Sequence, residues 1–293
     1  VADQPGTDVA VFDPSTSHYP ALFAQEGEGS IAEVIEDNFG EDGFSVADLD
    51  RLKVPSGGGT SWDIPDEDPA RFVEGVIIHK QPTRSFWFKA RGEGGEEDSP
   101  PDCYSTEGKT GIGAFGKGSD PNPTGECAAC PMNVFGSSDR GSGNGKACKE
   151  QMQVFLLQPE AILPIQVSLP PTSLKGFRKY MTRLASKGKS YFAVVSRFGL
   201  EVQKGGGQTY SVVVPSKATD LDRAEAAAAR AYGTTIRGFL EAAAAERAAN
   251  ERQEADVSDT APGRDEWRSD GDTAEQAGEA DAPAAAKGGG KKG

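Results

Sequence analysis

Apolar and polar positions change their period along the chain, and the changes mark out its elements. From Phe72 to His79 the run FVEGVIIH, rich in β-branched residues, predicts a strand. Gln81-Pro82-Thr83 follows as a turn signal and Arg84 to Arg91 as a second strand, so the two make a hairpin. Met152 to Leu157 predicts a third strand. Tyr191 to Val202 and Thr209 to Val214, joined across Gly205-Gly206-Gly207, predict another hairpin. Its apolar face carries Phe192, Val194, Phe198, Leu200 and Val202, which leaves Tyr191 and Arg197 outside. After Pro170-Pro171, with Thr172 or Ser173 as cap, Leu174, Phe177, Tyr180, Met181 and Leu184 recur at a helical period. Lys175, Arg178, Lys179, Arg183 and Lys187 take the opposite side.

Shorter helical signals flank these strands. Ser30 caps a helix with Ile31, Val34, Ile35 and Phe39 that stops at Gly40, and Ser45 with Asp48 opens another turn. From Thr219 an alanine-rich stretch predicts a helix broken or bent near Gly233 and ending near Asn250.

Between Gly92 and Gly145 there are thirteen glycines and few large apolar side chains, so this stretch cannot bury enough surface to order itself. It is bordered and crossed by the four cysteines of the chain, Cys103, Cys127, Cys130 and Cys148, the middle two in a CxxC. One structural zinc ion held by four thiolates supplies the missing folding free energy. A redox CxxC and disulfides are the alternatives, disfavoured in an intracellular protein. A catalytic zinc of the deaminase kind requires H-x-E, and neither His18 nor His79 is followed by it. Gly111 to Lys117 imitates a phosphate loop, but Gly118 stands where Ser or Thr would hold magnesium.

Five strands is the count of an oligonucleotide-binding (OB) barrel. The expected fold is therefore mainly β: a five-stranded OB-type barrel over residues 51–217 with a four-cysteine zinc ribbon inserted at 92–150. Peripheral helices lie at 30–50 and 218–250, between a disordered acidic arm at 1–29 and a disordered acidic tail at 251–293.

The net charge of −14 is unevenly spread. Residues 1–50 hold 12 acidic and no basic residues, whereas residues 151–220 hold 3 acidic and 9 basic. A basic segment between acidic ends suits an electrostatic footprint for a polyanion. Exposed rings beside cations supply the other half of non-specific single-strand binding, base stacking. Arg84, Trp87 and Lys89 on one strand, with Trp87 pointing outward, and Lys189, Tyr191 and Arg197 near the last hairpin, offer that combination. Together with Lys175, Arg178, Lys179 and Arg183 they are the candidate nucleic-acid contacts. No activated nucleophile, open metal site or cofactor fingerprint points to an enzyme or a small-molecule substrate. No run of about 18 apolar residues spans a bilayer, and the N-terminus lacks the pattern of a signal peptide, so an intracellular location is expected.

The stretches LDRLKVPSGGGTSWDIP, PPDCYSTEGKTGIG, CAACPMNVFGSSDRGSGNGKACKE and LPPTSLKGFRKY together resemble a family of phage and prophage single-stranded DNA-binding proteins, over about residues 48–214. An OB core with a zinc-binding insert is also similar to the single-strand binders of T-even phages and the zinc-bearing OB domain of replication protein A. The resemblance implies coating and protection of exposed strands in phage replication, recombination or repair, in the cytoplasm of a bacterial host cell. Replication or recombination proteins are the partners it implies, met through the acidic termini. The terminus Lys291-Lys292-Gly293 departs from the acidic, apolar tip with which bacterial single-strand binders recruit partners. A zinc-stapled adaptor, whose basic helix docks an acidic protein of a replication or packaging complex, is the competing reading.

Overall fold

The computed structural model describes residues 17–23, 31–40, 48–65, 68–89, 100–138, 144–205 and 207–260. Most of the acidic arm, the Ser45 cap, Arg91 and the tail from 261 with Trp267 lie outside them. The chain divides into two units, Val1–Arg247 and Ala248–Gly293. In the second, the described residues are helical as far as Thr260; the first carries the sheet.

That sheet is mixed, has eight strands and curls into a half-barrel: β1 (Arg51–Lys53), β2 (Phe72–Phe86), β3 (Cys103–Ser105), β4 (Ile112–Gly113), β5 (Lys149–Leu157), β6 (Ile165–Leu169), β7 (Val194–Gly205) and β8 (Gln208–Asp220). β2 is its spine. One edge of β2 takes β5, which leads to β6 and then to β1, parallel to β6. The other edge is shared: β7 pairs with residues 72–76 and β3 with residues 84–86. The expected hairpin across Gln81-Pro82-Thr83 is therefore one continuous strand. Between the footprints of β7 and β3, among the described residues only β5 pairs with β2, so Pro82, which has no N–H to give, interrupts no second ladder.

Alternation along β2, β5 and β6 gives the sheet two apolar faces. The inner one gathers Leu52, Trp62, Val73, Ile77, Val154, Leu156, Val167, Leu169, Phe198 and Val213. Trp62 is fully buried there and donates its indole N–H to the Phe198 carbonyl at 2.9 Å. Helix α2 (Pro171–Ala185), coming after α1 (Ile31–Phe39), lays Phe177, Tyr180 and Leu184 over this face as the helical period requires. Its cap differs from expectation. Pro171, pre-set for helix, opens the first turn with Pro170 at the N-cap, and the buried Ser173 hydroxyl instead accepts the Val213 N–H at 3.0 Å.

β6 and β8 do not pair, so hydrogen bonds leave the ring open. The 51–62 segment crosses the gap. β1 adds to β6, and the following turn meets β8, where Ser211 Oγ donates to the Gly59 carbonyl at 2.7 Å.

On the outer face Val76, Ile78, Phe155, Leu157 and Val195 pack against Tyr232, Ile236 and Leu240 of α3 (Arg223–Thr260), with Ile35 of α1, Leu49, Tyr19 and Leu22. Residues 20–22, expected to be unstructured, form a 3-10 turn that buries Leu22. α3 begins on a capping box: the Glu225 N–H donates to Asp222 Oδ1 at 2.8 Å, and the Asp222 N–H to Glu225 Oε2 at 3.2 Å. It is one continuous helix through Gly233 and past Asn250, where a break or bend and then an end were expected. Gly233 marks a close approach instead, since a Cβ there would lie 2.2 Å from the Ile78 carbonyl oxygen of β2.

Candidate functional site

The segment between β2 and β5 folds around its cysteines. Cys103 lies on β3, opposite Phe86 of β2 and Gly113 of β4. Cys127 donates its N–H to the Lys109 carbonyl at 2.7 Å, Cys130 opens a 3-10 turn (Pro131–Asn133), and Cys148 donates its N–H to the Met132 carbonyl at 2.9 Å. All four are buried free thiols, and all four line one small cavity with Arg84, Phe86, Phe115 and Met132. Burial pushes the Cys148 thiol up to about 11 and raises Cys103 and Cys127 as well. Thiolate-favouring groups oppose this. The Phe115 and Ile112 N–H groups act on Cys103, and the Arg84 charge on Cys127 and Cys148. Among the described residues no three His, Cys, Asp or Glu side chains are grouped closely enough to hold an ion as placed. The thiols share a cavity but are not drawn in to ligating distance.

Arg84 ties this insert to the sheet. Only 14% exposed, it donates from Nε to the Gly108 carbonyl at 3.2 Å and from one guanidinium nitrogen to Asn133 Oδ1 at 2.7 Å. The other nitrogen meets Glu150 of β5 at 3.4 Å. Asn133 in turn donates to the Cys127 carbonyl at 2.7 Å and accepts from Lys146 Nζ at 3.0 Å. A strand cation expected to face nucleic acid is thus occupied inside.

The other candidates spread over several surfaces. Lys175, Arg178, Lys179 and Arg183 stand exposed on the outer side of α2, as the period required, and Arg178 reaches Glu150 Oε1 at 3.0 Å. This carboxylate joins α2 to Arg84. Trp87 lies half-buried just past the end of β2, while its neighbours Phe88 and Lys89 are exposed, Phe88 edge-on to Phe86. Tyr191 sits in a 3-10 turn (Tyr191–Ala193) ahead of β7 rather than on the strand, half-buried, with Lys80 Nζ 5.5 Å from its ring centre. Lys189 pairs with Asp220, whose carboxyl Lys189 and Lys217 hold below its usual range. Arg197 pairs with Glu74 and lies 4.3 Å above the Phe72 ring.

Besides Phe88, exposed where Trp87 was expected to point outward, two exposed rings escaped the sequence reading. Phe72 opens an apolar run and passes for core. Phe135 follows Val134 in an otherwise polar insert, and that apolar pair was the available signal; Lys146 Nζ stands 4.9 Å from the ring centre. Among the described residues no helix is long and apolar enough to cross a membrane. No protein family, curated protein or solved structure matches the chain.

Proposed function

We propose that the chain binds single-stranded DNA without sequence preference, on an OB-type core stapled by one structural zinc ion. The observation that carries this reading is the outer face of α2. In a chain of net charge −14, this helix has four cations and no acidic residue, and all four are exposed on the side away from the core. Such a face suits a phosphate backbone, whose binding is electrostatic and indifferent to sequence.

Two further features support it. The five longest strands follow one another in the order β6, β5, β2, β7, β8, with α2 entering between β6 and β7, a partly open course compatible with an OB barrel. The cysteine cavity fits zinc by its donors: four buried sulfurs, soft ligands, with N–H and cationic groups that favour the thiolates at Cys103, Cys127 and Cys148. Zinc bound there supplies folding free energy to an insert whose own core is a few side chains around Phe86 and Phe115.

The test is a titration of labelled oligo-dT at about 50 and 200 mM salt, with the full chain and with Lys175→Ala/Lys179→Ala. Each lost phosphate contact lowers the salt slope for a single strand by about 0.7, so two lower it by about 1.4. Over that fourfold salt range the variant should lose roughly sevenfold less affinity than the wild type. Absence of binding at low salt overturns the function. An unchanged slope overturns the role of α2.

A further inference from the structure

We infer that the nucleic-acid track continues from α2 across β5 and β2 onto the cysteine-bearing insert and ends at Phe135, which stacks a nucleobase while Lys146 meets the adjoining phosphate. This rests on the reading of the chain as a single-strand binder. It is carried by a line of contacts no single element reveals: Arg178 to Glu150 at 3.0 Å, Glu150 to Arg84 at 3.4 Å, Arg84 to Asn133 at 2.7 Å, and Lys146 to the same Asn133 oxygen at 3.0 Å. Arg84 is the inward tie of this line, and the cations left for the track are Arg178, Lys146 and Lys149, the last with its Nζ donating to the Lys146 carbonyl at 2.6 Å, against the one carboxylate of Glu150.

At its end the insert presents an apolar step to solvent. Phe135 is 77% exposed and Val134 58%. The step is held from behind. Gly136 and Ser138 donate their N–H groups to the Gly145 carbonyl at 3.0 and 3.1 Å, and Ser137 Oγ bonds to the carbonyls of Met132 and Val134 while accepting the Ala147 N–H at 3.0 Å. The backbone that carries the ring is thus already ordered before any base stacks on it. The Lys146 ammonium lies over one face of the Phe135 ring, so the other face takes the base while the charge meets the phosphate, the two chemistries that one nucleotide requires. An apolar protein partner would instead have to desolvate that ammonium.

The test uses the full chain and labelled oligo-dT at low salt, followed by anisotropy. Phe135→Ala should weaken binding about 5- to 150-fold, the range that loss of one stacked base carries. Lys146→Gln should weaken it and flatten the salt slope by about 0.7. Phe135→Trp should keep the affinity, and the added indole should show quenching on titration beyond that of the wild type. Because the ring is exposed, melting of Phe135→Ala should match the wild type. Wild-type affinity in Phe135→Ala, or no added quenching in Phe135→Trp, overturns the inference and leaves the function of α2 standing. If Phe135→Ala keeps its affinity but loses self-association in sedimentation, the step docks protein and the inference is again overturned. A wild-type chain that binds no oligo-dT overturns the underlying function itself.

Discussion

Replacing Gly233 by alanine drives a methyl group from α3 into the backbone of β2. The new Cβ would stand 2.2 Å from the Ile78 oxygen and 3.1 Å from its carbonyl carbon. A carbon needs about 3.3 Å from such an oxygen even in a close C–H···O contact, so the helix must retreat by about 1 Å. That retreat opens the seam where Tyr232, Ile236 and Leu240 meet Val76, Ile78 and Phe155. A gap of about 0.5–1 Å forfeits a quarter to a half of the contact attraction across it. Overpacking of this kind costs about 1–3 kcal/mol, and a clash with backbone belongs at the upper end. Against it stands the gain of about 1 kcal/mol from replacing glycine by alanine inside a helix. The net expectation is a loss of about 2 kcal/mol. Gly238, in the same helix, has nothing within 4 Å of its would-be Cβ, so Gly238→Ala should collect the helical gain alone, about 1 kcal/mol. Equilibrium unfolding in urea reads both through the transition midpoint. A midpoint raised by Gly233→Ala as by Gly238→Ala would refute the seating of α3 on β2.

Metal analysis of freshly purified chain should find about one zinc per chain, and chelation should loosen the insert before the sheet; a metal-free protein with four freely reactive thiols would remove the staple. Tyr180→Phe leaves the fully buried Ser196 hydroxyl without its 2.8 Å partner and should cost about 1–3 kcal/mol, most of which Ser196→Ala restores in the double variant. A double variant no better than Tyr180→Phe would show that the loss lies in packing. Burial, opposed by the Gln81 hydrogen bond, lowers the pKa of His79, so as pH falls the unfolded chain takes up a proton near pH 6.5 before the folded one does. That contribution to stability is present above about pH 6.5 and lost below it, and His79→Gln should lose less stability than the wild type between about pH 7.5 and 5.5. Parallel losses in unfolding midpoint would exclude His79 as the source.

What could be read from the sequence follows the range of the forces involved. α2 was legible because its stripe, from Leu174 to Leu184, and its cations repeat at a period local to the helix. The β7–β8 hairpin was legible because three glycines sit between two apolar runs. The convergence of the four cysteines was legible because a glycine-rich stretch with thiols at its borders has few other ways to order itself. Pro82 misled because its turn signal is local, whereas the lack of a second neighbour beside it is settled by where β7 and β3 end. β6 was missed although Ile165, Val167 and Leu169 alternate with Gln166 and Ser168; five residues between prolines pass for a connection. Gly233 read as a helix breaker because nothing near it in sequence mentions Ile78. Arg84 read as a surface cation because the Glu150, Asn133 and Gly108 groups that occupy it arrive from elsewhere in the chain.

The open gap between β6 and β8 also imposes an order in time. Gly59 and Ser211 are 152 positions apart. At about 5–20 residues per second, the segment that begins at β1 waits roughly 8 to 30 seconds on the ribosome before the strand it must meet has been made. The first residues of the inner face thus wait for one of its last strands, a long-range closure of the kind that slows folding. Until β7 emerges, the Trp62 indole N–H has no Phe198 carbonyl to accept its hydrogen bond, and the inner face stays uncovered at the side where synthesis began.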